Sequence, residues 1–168
     1  MKAIPLGGGK KAPARIDDAD YDLVAQHRWQ VLEFTPRKGR RPAGPYAVTF
    51  SAVNGKRTSL LMHTLITGWP MVDHADHDGL NNQRSNLRAA THAQNMANRR
   101  SVLGSSSIYK GVRLRPELHK WRAQITVCGV PRYLGLFSDE EEAALAYNTA
   151  ALEAFGEFAY LNEIRPAT

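Results

Sequence analysis

Residues 72–95 concentrate side chains that can bind metal ions or move protons. The segment VDHADHDGLNNQRSNLRAATHAQN contains three carboxylates, three histidines and four asparagines. Asp73 and His74 stand side by side after a short apolar run, where a strand would point them to opposite faces. A carboxylate can hold a metal ion, and a neutral imidazole can take a proton from water near pH 7. The segment therefore predicts metal binding, proton transfer, or both.

A calcium loop is one interpretation of this segment. Asp76, Asp78 and Gly79 are spaced like the third, fifth and sixth positions of an EF-hand loop. His74 and Ser85 would then occupy the first and twelfth positions, which require carboxylates. The calcium hypothesis fails at both ends of the loop.

Structural zinc and a single-metal nuclease are the other two interpretations. Four histidines suggest zinc, namely His63, His74, His77 and His92. No cysteine lies near them, and their spacing matches no common zinc finger. A nuclease needs a carboxylate, an adjacent base and a polar residue on a following helix. A hard divalent ion with few protein ligands leaves room for phosphate oxygens and water, so the nuclease is favoured.

The flanking sequence predicts elements that could position these residues. WQVLEF is typical of a strand, and YAVTFSAV, the turn NGK and RTSLLMHTLI predict a hairpin. Residues 1–10 predict a loop because of Pro5 and the three glycines. VDH is expected to end a strand, and THAQNMANRR is expected to form a helix. The frame is a β-rich unit, a ligand-rich loop and a short helix.

Residues 60–100 contain four motifs in a fixed order, namely LLMHTLI, VDH, SNLR and THAQN. In this order they resemble the HNH endonucleases of the phage-encoded and homing branch. The resemblance implies a ββα-metal unit in which Asp73 and Asn95 bind the metal. His74 would be the general base and Asn86 the central asparagine of the catalytic set. It also implies a divalent metal cofactor, with Mg²⁺ or Mn²⁺ favoured over zinc at an oxygen-rich open site.

Three details of this resemblance stay open. His92 lies one turn before Asn95 and is an alternative metal ligand. His63 matches a recurring histidine that either contacts phosphate or packs. The loop has DHD at 76–78 where the family usually resembles N-G-D, so its extra acidity is a departure.

The carboxyl-terminal third predicts a second, smaller unit. SVLGSSS at 101–107 is typical of a linker, and the strands IYKGVRLR, KWRAQITV and VCGVPRYLGLF follow it. In the middle strand, alternation places Trp121 and Ala123 on one face and Arg122 and Gln124 on the other. Cys128 is predicted to occupy an interior strand position and is expected to be a packing residue. A helix is expected from Ser138, its predicted N-cap, to Gly156.

Most of residues 107–162 is covered by four motifs, namely YKGVRLRP, KWRAQI, YLGLF and EEAALAYNTAALEAFGEFAYLN. Together they resemble the Apetala-two/ethylene-response-factor DNA-binding domain. That family places its three-stranded sheet in the DNA major groove. Glu117 and Pro131 depart from the family pattern, so base specificity does not carry over. The candidate DNA-binding residues are Lys110, Gly111, Arg113, Arg115, Lys120, Arg122, Gln124, Thr126 and Tyr133.

The charge distribution also favours nucleic acid. The chain of 168 residues has 22 Lys and Arg against 16 Asp and Glu, with a basic run RKGRR at 37–41. The single cysteine excludes an intramolecular disulfide. No signal peptide or membrane span is expected, so a cytoplasmic protein of a bacterial or phage-infected cell is the default.

Together these patterns predict an α+β protein with a β-rich HNH nuclease domain at 1–100, a linker at 101–107 and a DNA-binding domain at 108–168. The expected activity is metal-dependent, homing-endonuclease-like hydrolysis of DNA, with the carboxyl-terminal sheet selecting the site. Double-stranded DNA is the expected partner, bound by a monomer or weak dimer. The alternatives are a transcription regulator with a non-cleaving HNH fold and an RNA-processing nuclease.

Overall fold

A computed structural model describes residues 1–8, 12–33, 44–53, 55–101 and 104–164. Contacts divide the chain into two units, one ending at Thr91 and one beginning at His92. The basic run 37–41 and part of the predicted linker lie outside the described residues. In the part that is described, no helix has the length and apolarity needed to cross a bilayer.

The first unit is built from short antiparallel strands and two short helices. Its sheets pair β1 with β2, β3 with β4 and β5, and β6 with β7. The elements are β1 Lys2–Ile4, β2 Ala14–Ile16, α1 Tyr21–Ala25, β3 Gln30–Leu32, β4 Tyr46–Val53, β5 Lys56–Leu61, α2 Met62–Thr67, β6 Val72–His74 and β7 Leu87–Ala89. The strand at 72–74 is confirmed, and the predicted hairpin is confirmed up to Leu61. The rest of RTSLLMHTLI does not continue the hairpin, because Met62–Thr67 form α2.

The core of the first unit gathers apolar side chains from most of these elements. Ile16, Val24 and Met62 are fully buried at its centre, and Trp29 anchors its ring by donating Nε1 to the carbonyl of Val24 at 2.9 Å. Leu80 and Leu87 belong to the same cluster. The polar loop between β6 and β7 is therefore fastened to the core at two points.

The second unit contains a three-stranded sheet packed against one long helix. Its elements are α3 His92–Ala97, β8 Val112–Arg115, β9 Lys120–Val127, β10 Val130–Phe137 and α4 Glu140–Phe155. The sheet order is β10-β9-β8, all antiparallel. Small side chains let the helix approach the sheet closely, since Ala143, Ala144 and Ala151 are fully buried. The expected α+β class and the sheet-on-helix arrangement are confirmed.

Three further local predictions are wrong. Residues 2–4 form β1 instead of a loop, because Ile4 joins the core and the strand pairs with β2. Cys128 is exposed in the β9–β10 turn with φ 51°, so it is not a packing residue within a strand. The N-cap of α4 is Asp139, whose carboxylate accepts from the amide of Glu142, and not Ser138. The predicted stop at Gly156 is confirmed.

Candidate active site and nucleic-acid interface

Asp73 and His74 both lie buried at the end of β6, with 7% and 6% of their surface exposed. In the β6–β7 hairpin, Asp73 pairs with Arg88 and His74 pairs with Leu87. Nη2 of Arg88 donates to Oδ2 of Asp73, and both side chains are largely buried. A buried carboxylate needs a compensating charge, and Arg88 supplies one. The sequence pattern did not single out Arg88 because its pairing depends on the register of the hairpin.

The imidazole of His74 packs in a cluster of three rings. The His63 ring lies 5.0 Å from it between centroids, in an edge-on arrangement, and the Tyr46 ring lies 5.7 Å away. Burial is the largest influence and lowers the pKa of His74 below its ordinary 6.5, although Asn82 and nearby carboxylates oppose the shift. His74 is therefore neutral at physiological pH, as a proton acceptor must be.

His63 is a buried member of the same cluster. Its ring also lies 5.6 Å from Tyr46, and it is positioned by α2. Burial, followed by repulsion from His74, lowers the pKa of His63 to about 4. The structure thus gives His63 the packing environment that was one of its two predicted roles.

Asn86 joins the two ends of the loop that follows His74. Its Nδ2 donates to Oδ1 of Asp76 at 2.9 Å and to the carbonyl of Asn81 at 2.8 Å, while its Oδ1 accepts from the amide of Asp76 at 3.0 Å. Its carbonyl also accepts from the amide of Ala75 at 3.0 Å. Asn86 therefore fixes the backbone immediately after His74.

The acidic residues of the loop serve its internal structure. Asp76 accepts from Asn81 at 2.7 Å and from the amide of Asp78 at 2.8 Å. Burial works to raise the pKa of Asp76, but these hydrogen bonds and that from Asn86 lower it overall. Asp78 forms an ion pair with Arg15 of β2 at 2.8 Å. The departure at 76–78 thus stabilises the loop and ties it to the amino-terminal strands.

Asn82 is a site residue that the sequence analysis did not identify. It is fully buried, donates its backbone amide to the carbonyl of Arg15 at 2.7 Å, and donates Nδ2 to the carbonyl of Leu80 at 3.2 Å. The side-chain carboxamide of Asn82 also acts to raise the pKa of His74, against the larger effect of burial. Four asparagines in one segment were a signal, but only the fold distinguishes Asn82 from its neighbour.

The predicted ligands His92 and Asn95 lie on α3, in the second unit. His92 is exposed and Asn95 is half-buried. In the described parts of the chain, no group of three or more His, Cys, Asp or Glu side chains could hold a metal ion. Within the first unit, the buried carboxylate of Asp73, which Arg88 also contacts, is an oxygen donor of the kind that hard divalent ions take.

The sheet of the second unit presents a cationic face. Arg113 pairs across the strands with Arg122, and Arg115 pairs with Lys120. Gln124 pairs with Tyr133 on the other side of β9, and the Tyr133 ring lies 5.5 Å from the guanidinium of Arg122. Thr126 is exposed at the end of β9. Like charges placed opposite each other cost stability in a sheet, which is consistent with a surface for a polyanion.

Lys110 and Gly111 do structural work in this unit. An added Cβ on Gly111 would lie 2.0 Å from the ring of Tyr147, so the glycine permits close packing of α4 on the sheet. The ammonium of Lys110 is directed to the carbonyls of Met96 and Ala97, at the end of α3. Their assignment as DNA contacts stays a prediction, and the structure gives both another role.

Comparison with known proteins identifies the first unit. The HNH endonuclease family model matches residues 61–97. A protein of Acanthamoeba polyphaga mimivirus described as an uncharacterized HNH endonuclease is 33% identical over 164 residues, which cover 95% of this chain and 79% of the relative. This chain belongs to the HNH endonuclease family. The family assignment supports a nuclease, and it agrees with the strand-loop-strand arrangement around Asp73, His74 and Asn86.

The carboxyl-terminal region is similar to plant transcription factors. An ethylene-responsive transcription factor of Arabidopsis thaliana is 35% identical over 101 residues, covering 57% of this chain and 61% of the relative. A dehydration-responsive element-binding protein of the same plant is 36% identical over 86 residues, covering 50% of this chain and 41% of the relative. No solved structure matches the chain significantly. The similarity supports DNA binding by an ethylene-response-factor-like unit.

Proposed function

We propose that this HNH protein is a divalent-metal-dependent DNA endonuclease, with homing-type site selection by the sheet of the second unit. The observation that carries the proposal is the position of Asp73 next to a buried His74 of lowered pKa at the end of β6, where Asn86 fixes the loop that follows. Asp73 would be one metal ligand, and the family resemblance adds Asn95 as the second. His92 remains the alternative to Asn95.

In this proposal each residue has one task in phosphodiester hydrolysis. His74 accepts a proton from the attacking water, and its lowered pKa keeps it ready to do so at neutral pH. Asn86 holds the backbone beyond His74, and the rings of His63 and Tyr46 hold the imidazole from the sides. A divalent ion bound to Asp73 would supply charge stabilisation for the phosphate and the leaving 3′-oxygen. The expected products carry 5′-phosphate and 3′-hydroxyl ends.

The sheet of the second unit is proposed to read the DNA. Arg113, Arg115, Lys120 and Arg122 provide positive charge, and Gln124, Thr126 and Tyr133 provide polar and aromatic contacts. The major groove of B-form DNA admits a β-ribbon, whereas that of A-form RNA is too narrow for side chains to read. Double-stranded DNA is therefore the proposed substrate. One catalytic set per chain predicts single-strand nicking by a monomer.

The test is a nicking assay on supercoiled plasmid carrying the DNA around the gene. Wild-type protein should convert it to the open-circular form with Mg²⁺ or Mn²⁺, and EDTA should stop the reaction. The similarity to plant transcription factors makes a non-cleaving DNA-binding regulator the second candidate. Specific DNA binding without cleavage in either metal would favour the regulator, and preferential cleavage of single-stranded or duplex RNA would favour the RNA nuclease.

A further inference from the structure

Lys110 caps the carboxyl-terminal end of helix α3. Its Nζ donates to the carbonyl oxygen of Ala97 and, at 3.4 Å, to that of Met96. Helix α3 ends at Ala97, so these carbonyls belong to its last turn, and that of Met96 also accepts from the amide of Arg99 at 3.4 Å. A cation at this end of a helix is also favoured by the helix dipole.

A hydrogen-bond network connects this cap to helix α4. The amide of Lys110 donates to Oδ1 of Asn162 at 2.7 Å, and Nδ2 of Asn162 returns a bond to the carbonyl of Lys110 at 3.1 Å. Asn162 exchanges two further bonds with Asn148 of α4, at 2.7 and 2.9 Å. The amide of Tyr160 donates to the carbonyl of Ala97 at 3.3 Å. Helix α3 is thus tied to α4 through Lys110 and Asn162.

The ammonium of Lys110 is committed to this position by its surroundings. It is largely buried, and it lies 5.6 Å from the centre of the Tyr160 ring. Burial, with a smaller effect from Arg99, lowers the pKa of Lys110 to about 8. A lysine that served as a phosphate contact would keep its ammonium in water, as the exposed Lys120 at the start of β9 can do.

We propose that Lys110 is a positioning residue for the nuclease reaction: it anchors helix α3, which carries Asn95, to the DNA-binding unit. The inference takes the role of Asn95 as a metal ligand from the proposed function. The contact of Lys110 with α3 is independent of that function. Lys110, which precedes β8 by two residues, serves helix placement, and not phosphate binding.

The experiment compares Lys110→Met with the matched control Lys120→Met in the full-length protein. Methionine keeps most of the apolar stem and removes the charge and the donors. Lys110→Met should accelerate hydrogen exchange of the α3 amides by about ten- to a hundredfold, the usual effect of losing a buried charged hydrogen bond. Nicking at saturating DNA should fall by at least about tenfold, while the Kd for DNA stays within about threefold. Lys120→Met should weaken DNA binding, mostly at low salt, and leave α3 exchange unchanged.

Several outcomes would overturn the proposal. Equal loss of DNA affinity in both variants, with unchanged α3 exchange, would make Lys110 a phosphate contact. Faster α3 exchange with undiminished nicking would show that the anchor does not serve catalysis. If Lys110→Met does not fold, Lys110→Gln, which keeps a shorter donor, replaces it in the same measurements. If wild-type protein does not nick any substrate, the proposed function fails, and the exchange data still decide whether Lys110 anchors α3.

Discussion

Replacing Asn86 with aspartate changes only the Nδ2 group of the side chain that fixes the β6–β7 loop. Asn86→Asp keeps the shape of the side chain and the Oδ1 that accepts from the amide of Asp76. It replaces Nδ2, which donates at 2.9 Å to Asp76 and at 2.8 Å to the carbonyl of Asn81, with an oxygen. Two partly buried hydrogen bonds are lost, and the new oxygen faces two other acceptors, Oδ1 of Asp76 and the carbonyl of Asn81. Each loss costs about 1–2 kcal/mol, so the free energy of unfolding of the first unit should fall by about 2–4 kcal/mol at pH 7.

The same variant should show a distinctive pH dependence. Beside Asp76, a carboxyl group at position 86 keeps its proton to higher pH, and its protonated form can donate where Nδ2 did. A group with a raised folded-state pKa stabilises the protein below its unfolded pKa, and this contribution disappears as pH rises through the raised value. The difference from wild type should therefore be largest at about pH 7 and shrink toward about pH 4.

Urea unfolding followed by tryptophan fluorescence measures this effect in a Trp121→Phe background. The remaining tryptophans, Trp29 and Trp69, both lie in the first unit and report its unfolding. Ser85→Asp is the matched control, because it adds the same charge at an exposed neighbouring position. A loss of less than about 1 kcal/mol in the free energy of unfolding at pH 7, or an equal loss at low pH, would refute the role of Asn86 in fixing the loop.

Three further predictions concern catalysis and binding. His74→Gln should fold and bind DNA, but its nicking rate should fall by about a hundred- to ten-thousandfold and should not recover at high Mn²⁺. The nicking rate of Asp73→Ala should partly recover when Mn²⁺ is raised. Recovery of the His74 variant at high Mn²⁺ would make His74 a metal ligand. Because burial lowers the pKa of His74, single-turnover nicking should stay constant from about pH 8 to 6.5 and fall only below that range, so a midpoint above pH 7 would contradict the general-base role. With ~6 phosphate contacts, DNA affinity should fall by about a thousandfold between 50 and 200 mM salt, and a flat response in filter binding would remove the electrostatic basis of binding.

Local sequence patterns were sufficient for the elements with clear periodicity or capping signals. The β4–β5 hairpin and the end of β6 at His74 are where the sequence predicts them, as is the stop of α4 at Gly156. The site residues at 73, 74 and 86 are brought into one loop-strand unit, with Asn86 bonded next to His74.

Features that depend on distant partners were not predictable from local patterns. Strand β7 has three residues and exists through its register with β6, which also creates the pair between Arg88 and Asp73. Asn82 is fully buried and donates its backbone amide to the carbonyl of Arg15 in β2, whereas the side chain of Asn81 donates to Asp76 within the loop. Lys110 shares a strand pattern with true surface residues, yet the end of α3 captures its ammonium. In each instance the deciding contact joins residues far apart in the chain or across a sheet.

The like-charged pairs of the β8–β9 ladder carry a consequence for how the protein responds to its medium. With Arg113 opposite Arg122 and Arg115 opposite Lys120, the free sheet contains repulsion that dissolved anions relieve. Rising ionic strength should then make the second unit harder to unfold while it loosens the hold on DNA. The two properties have opposite salt coefficients, since DNA and small anions compete to neutralise the same charges. Bound duplex DNA should therefore stabilise the second unit against unfolding, and this stabilisation should be largest at low ionic strength.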